Sequence, residues 1–326
     1  VTTASAVGPT HSPATAPPAR FHRTVTVPGD GTEESWIAAG ELVPRGIAVR
    51  MHSDETTSTV LRTNVDVDAY TRHEHVRIPV DLEALATDPE IPPAVGTALA
   101  VLHRLEGSAL AESRAMLPTW TGNEARITAF LASWMVQRHW QARALRDVLT
   151  GDDPVERPLP FAAPTLAARL RRVHVDRLQP LIAPLWTFGA GEATTAGHMA
   201  RMAIQEASLL AGLRALAPHL SGEARRVVDV VSDHHEPAVR FFTTEAIARI
   251  TRSRREAVTA RVLLSLNSPL DGGGVVDPDL PAALAVLGAQ AADRAALHRA
   301  RFEITRLLPG PALPDPYLRA LSKGGA

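Results

Sequence analysis

The chemistry open to this chain is narrowed first by what it lacks. It contains no cysteine, which removes disulfides, thiolate metal sites, iron–sulfur clusters and cysteine nucleophiles. Lys323 is the sole lysine, so all but one of the 34 basic residues are arginine. Schiff-base chemistry and P-loop phosphate binding therefore have no well-placed lysine. Histidine and carboxylate spacing comes next. A two-metal site inside a helical bundle needs Glu-x-x-His, because residues three apart share a helix face. No Asp or Glu in the chain is followed by His at that spacing, and the reverse spacing occurs at His103 and Glu106. His234-His235-Glu236 offers adjacent imidazoles that point about 100° apart on a helix, so one of them at most faces the core. His73 and His75 alternate in a β-like stretch and share a face there; flanked by Arg72 and Glu74, they read as a solvated pair. Gly272-Gly273-Gly274 lacks the Lys-Ser/Thr of a phosphate cradle and reads as a turn.

The elements that must position these residues follow from composition and pattern. The chain has 326 residues, 45% hydrophobic and 21% charged, with net charge -1, which suits one large or two ordinary folded domains and no nucleic-acid partner. No apolar run approaches the roughly 18 residues of a membrane span, so no membrane insertion is expected. Residues 1–20 read as a disordered tail without a secretory apolar segment, which makes the cytoplasm the expected location. Residues 21–91 form an N-terminal extension with short strand-like runs at FHRTVTV, GIAVRMH, STVLRTNVDV and HVRIPV, with PGDG as a turn. Residues 92–310 are helical in pattern and 311–326 are a tail. Helices are expected over 92–117, 121–150, 164–179, 189–218, 221–262 and 279–307. Thr121 with Glu124 reads as a capping box, Ser221 as an N-cap, and Asp277-Pro278 as the start of the last helix. Pro237 is expected to kink or break the fifth helix. The fold class expected is therefore all-α, with a small N-terminal β-containing extension.

Four segments also carry a resemblance. ALAESRAML (109–117), FLASWMVQRHWQARALRDVL (130–149) with DDPV (152–155), MAIQEASLLAGLRALA (202–217) and VVDVVSDHHEPAVRFF (227–242) resemble, in order and spacing, the ligand helices of the soluble acyl-ACP desaturases. The resemblance covers roughly residues 95–250 and implies a ferritin-like bundle, a homodimer, and acyl carrier protein or an acyl or polyketide-like molecule as partner. The family's iron ligands carry over poorly. The first-helix glutamate falls on Gly107, beside Ser108. The second helix, anchored on Trp134, places Arg138 and Gln141 at the Glu and His positions. The third retains Glu206. The fourth, anchored on Phe241-Phe242, places His235 and Ala238. A different register puts His139 or His235 at a His position, with Val136 or Ser232 as partner.

The resemblance thus implies a divergent member without a working di-iron centre, with Glu206, Arg138, His235 and Gln141 as the polar site. No cofactor is expected, with iron as the alternative. Such a chain is a metal-independent enzyme, such as a cyclase or isomerase, or a pseudo-enzyme. An active desaturase with an unorthodox metal site, or a non-catalytic partner of one, stands as the alternative. Arg138 and Glu206 are expected to form a buried ion pair supported by Gln141 and His235. Small Gly107, Ser108 and Ala238 suggest an elongated apolar pocket between the helices at 92–117, 121–150, 189–218 and 221–262. Two arginine groups, Arg169, Arg171, Arg172 and Arg177, and Arg249, Arg252, Arg254, Arg255 and Arg261, read either as solvated surface or as a patch for an acidic carrier protein.

Overall fold

A computed structural model describes residues 61–151, 189–266 and 277–315, and these residues are helical with no strand among them. In chain order the helices are α1 Val67–Arg72, α2 Leu82–Thr87, α3 Pro93–Glu106, α4 Ala109–Met116, α5 Ala125–Thr150, α6 Ala193–Leu216, α7 Gly222–Arg252, α8 Arg254–Leu266, α9 Leu280–Leu287 and α10 Ala291–Thr305. The strand-like runs FHRTVTV and GIAVRMH, the helix expected over 164–179, the first arginine group and Gly272–Gly274 lie outside the described residues. Where the strand reading can be compared, it fails: Val67 opens α1, whose first turn Asp66 caps by accepting from the Ala69 N–H. HVRIPV takes neither strand nor helix. Alternating β-branched residues satisfied a strand pattern, yet a local Asp cap and packing on α5 decide the segment.

Three of the expected helices each divide in two, 221–262 at Ser253 into α7 and α8 and 279–307 at Gly288 into α9 and α10 among them. The segment 92–117 divides at Gly107-Ser108 into α3 and α4. The capping box does not form: Thr121 lies in a short 3-10 turn and meets His198, while Glu124 pairs with Arg249. Ser221 makes no side-chain cap; Asp88, at the end of α2, accepts from the Glu223 and Ala224 N–H groups at 2.7 and 3.2 Å and caps α7 in its place. That carboxylate stands where a Cβ on Gly222 would lie, and Gly222 has φ +50, so a glycine fits here on two counts. Helix α7 continues through Pro237 and ends instead at Ser253.

Buried apolar residues form two clusters. One gathers Leu99, Leu102 and Leu105 of α3, Leu145 and Val148 of α5, Leu209 and Leu213 of α6, Val227 and Val231 of α7, and Leu284 of α9. The other gathers Phe130 and Trp134 of α5, Met199 and Met202 of α6, Phe241 and Phe242 of α7, Leu264 of α8 and Ile304 of α10. Each of α5, α6 and α7 runs from one cluster into the other, and α3 hands over to α4 at the same level. Gly197 lets α6 approach α8, because a Cβ there would lie 2.1 Å from Leu263 Cδ1. No helix among the described residues is long and apolar enough to cross a membrane.

Candidate functional site

Between the two apolar clusters four helices each place one ionisable side chain: Glu106 at the end of α3, Arg138 on α5, Glu206 on α6 and His235 on α7, all at most 1% exposed. They close a ring. Arg138 Nη1 donates to Glu206 Oε1 at 2.6 Å, and Arg138 Nε lies 2.7 Å from Glu106 Oε2. Across the ring, His235 Nε2 meets Glu106 Oε1 at 2.6 Å and His235 Nδ1 meets Glu206 Oε2 at 2.8 Å. Every carboxylate oxygen faces a cation. The Arg138–Glu106 contact is one of charge rather than an aligned hydrogen bond: that Nε–H points to the Glu106 carbonyl at 3.3 Å, and Oε2 has no well-aligned donor.

The interruption at Gly107-Ser108 helps to hold the arginine. A helix end leaves carbonyls without intrahelical donors, and Arg138 Nη2 donates to the Leu105 carbonyl at 2.5 Å. A guanidinium at a helix C-terminus also faces the negative end of the helix dipole. Trp134 lies one turn before Arg138 and its ring is 5.5 Å from the guanidinium carbon, within cation–π range.

The ring fixes its own protonation. An imidazole with both nitrogens on carboxylate oxygens needs two N–H donors. Burial by itself would lower the His235 pKa, but Glu106 and then Glu206 outweigh it and lift the group to about 9. For Glu206, burial pushes upward, while Arg138 and then His235 hold it below its ordinary value. Two carboxylates thus meet one guanidinium and one imidazolium, and the buried charges cancel.

This arrangement agrees with the expected Arg138–Glu206 pair and corrects its surroundings. The carboxylate on the first helix is Glu106, one residue before the position inferred from the resemblance; Gly107 instead packs near the His103 and Arg104 carbonyls. Gln141 is buried but joins none of the ring contacts, and its Oε1 has no partner. The late arginine group does not form one exposed patch either. Arg249 is fully buried between Glu124 at 2.6 Å and Glu245 at 3.3 Å, Arg252 pairs with Glu192 and Glu256, and Arg255 donates to the Gly189 carbonyl. Arg126 pairs with the same Glu245, which also accepts from Thr63 at 2.6 Å. Desolvation raises the Glu124 pKa against the pull of Arg249.

Metal coordination by the ring fails on the donor set. A cation there would have to take oxygens that Arg138 and His235 already hold, and a guanidinium neither ligates nor loses its charge. Among the described residues no group of three or more histidines and carboxylates is placed to hold a metal ion.

A cavity of about 770 Å³ lies beside the ring rather than within it, between α1, the chain at His73–His75, α5 and α7. Tyr70 forms part of its wall, stacked on Phe130 at 4.4 Å, and Phe130 stacks in turn on Phe241. The expected elongated pocket between the four long helices does not coincide with this cavity, since the ring, Trp134 and the phenylalanines fill that level. His73 and His75 sit not on a strand but after α1, with ring centroids 5.8 Å apart, and both line the cavity. The Tyr70 hydroxyl donates to Gln137 Oε1, and Gln137 Nε2 donates to the His234 carbonyl at 2.9 Å. That carbonyl lies three residues before Pro237, in the turn that a missing N–H and a bulky ring loosen. Burial chiefly raises the Tyr70 pKa, and the nearby Glu206 charge adds to it. Sequence reasoning passed over Tyr70 and Gln137; a tyrosine among only two and a glutamine one residue before Arg138 carry no spacing signal.

No protein-family model, curated protein or solved structure matches the chain.

Proposed function

We propose that this chain is a metal-independent, desaturase-like helical bundle that binds an acyl or polyketide-like chain, free or on its carrier protein, and that its ionic centre is a structural lock rather than a reaction centre. The closed ring supports this reading: Glu106, Arg138, Glu206 and His235 satisfy one another, with no ring charge left over for a substrate. In such a bundle Arg138 and His235 supply from the chain itself the positive charge that converging carboxylates require. The acyl ligand rests on the sequence resemblance, and the cavity walled by Tyr70 and Phe130 offers it a place.

The test is a charge reversal. Purified wild-type protein titrated with cobalt(II) should show no ligand-field bands and hold well under one metal per chain. Arg138→Glu removes the internal cation and brings a third carboxylate to Glu106 and Glu206. It should gain cobalt binding, seen as visible absorption and as stabilisation against heat in proportion to metal. Tight stoichiometric binding by the wild type would overturn the reading. A Glu206→Gln variant that stays folded yet loses a measured turnover would replace the lock with a catalytic centre.

A further inference from the structure

The cavity between α1, α5 and α7 has a chemical polarity of its own. Its floor is apolar: Phe130 is fully buried, and Val65, Ala69, Tyr70 and the Pro237 ring complete it. Three carboxylates reach its edge, and two are already engaged. Asp66 accepts from the Ala69 N–H at 2.8 Å, and Glu236 pairs with Arg214 at 2.5 Å. Asp233 has no such partner among the described residues. The donors are freer. Arg240, one turn beyond Pro237 on α7, makes no ion pair or hydrogen bond among the described residues and lines the cavity beside His73, His75 and His234. A volume of about 770 Å³ falls in the range of small-molecule sites, which bury an apolar body and orient it with a few polar groups.

We propose that this cavity is a binding site for an amphipathic carboxylate, its apolar chain on Tyr70 and Phe130 and its head group on the Arg240 guanidinium. A planar two-oxygen head matches the fork of a single arginine, and the imidazole N–H groups of His73 and His234 add donors for the same oxygens, while His75 is held by the Tyr70 carbonyl at 3.1 Å. Of the carboxylates before it on the same helix, Glu236, four residues away, pairs with Arg214, and Asp233, seven residues away, makes no ion pair with Arg240 among the described residues. The proposal rests on the chain-binding reading above and adds the site and the head group.

Calorimetric titration of the full chain with decanoate, decanol and decyltrimethylammonium tests it. Decanoate should bind at least tenfold more tightly than either of the others. Arg240→Gln, at an exposed position, should weaken decanoate at least tenfold and leave decanol unchanged. Ala69→Trp, also exposed, should fill the cavity and abolish binding of all three, with the melting curve reporting that the fold is kept. Decanoate bound equally well by both variants places the chain elsewhere and overturns this site while leaving the chain-binding reading standing. Preference for the ammonium probe overturns the assignment to Arg240. Absence of binding by every alkyl probe overturns the site and the chain-binding reading together, and leaves the cobalt result as a separate question.

Discussion

A histidine with a carboxylate on each nitrogen behaves unlike one in water, and its titration becomes a stability term. His235 is raised from 6.5 to about 9 on folding. A group raised in the folded state contributes fully below its unfolded value and loses that contribution as pH climbs through the folded one. Glu206 is lowered from 4.5, so its contribution is present above that value and lost on acidification. The ring's share of stability should therefore hold between about pH 4.5 and 6.5 and fall on the alkaline side by up to about 1.4 kcal/mol per pH unit. Guanidinium unfolding at pH 6 and pH 9 checks this, and His235→Gln should remove most of the difference. Arg138→Ala leaves two buried carboxylates with one partner. It should cost about 3–5 kcal/mol, the range for breaking a buried pair, read by denaturant midpoint at constant slope. Arg138 and Glu206 were within reach of sequence reasoning because Trp134 and Gln205-Glu206 anchor their helices. Glu106 was missed by a single position: ALAESRAML belongs to α4, and α3 ends one residue before the inferred site. A helix break at Gly107-Ser108 has little signature when neither residue has positive φ.

At the scale of elements, α7 is tied to α5 and α1 in the turn before Pro237. Proline removes a donor and strains the preceding turn, and Gln137 of α5 donates to the carbonyl of that turn while holding the Tyr70 hydroxyl. Gln137→Leu should leave the Tyr70 hydroxyl without its acceptor and cost about 1–3 kcal/mol. Adding Tyr70→Phe, which removes the orphaned hydroxyl, should return part of that loss. A double-mutant cycle by chemical denaturation measures the coupling, and strictly additive costs would show that the two side chains act apart. The helical periodicity of 121–150, 189–218 and 221–262 was readable because burial demands it of amphipathic helices. Their caps were not. The cap of α7 comes from Asp88, more than a hundred residues earlier, and the residue that locally suits a capping box, Thr121, meets His198 instead. Local rules cannot see a tertiary partner that satisfies the same N–H groups.

Across the molecule the ring is a polar layer between two apolar clusters, at one level on α3, α5, α6 and α7. Apolar helices alone tolerate many registers. A slip of one turn on any one of them would separate a buried charge from its partners, which is a heavy penalty. This points to a division of labour in which burial provides stability and the ring selects the alignment. Replacing Glu106, Arg138, Glu206 and His235 together by leucine, methionine, leucine and leucine should leave stability unchanged or raise it by about 1–4 kcal/mol. Denaturant melts of the quadruple variant check that; a loss comparable to Arg138→Ala would show that the ions themselves stabilise the fold. The all-α character of the described residues after Pro92 was visible in their periodicity. The short helices before Pro92 were not, since α1 and α2 span six residues each and are fixed by Asp caps and by packing on longer helices.

The ring also has a place in time. Its four contacts join positions 68, 129, 32 and 29 residues apart along the chain, so no single helix can make them. Water must leave before four charges become a closed set, and it leaves only when both apolar clusters have drawn the helices together. The ring should therefore close on the native side of the folding barrier, and Arg138→Ala should speed unfolding while leaving the refolding rate nearly unchanged in stopped-flow kinetics. Interactions formed after the barrier slow unfolding and leave the folding rate almost untouched. The four buried charges act as a late catch: they contribute little to how quickly the chain finds its fold and much to how long it stays there.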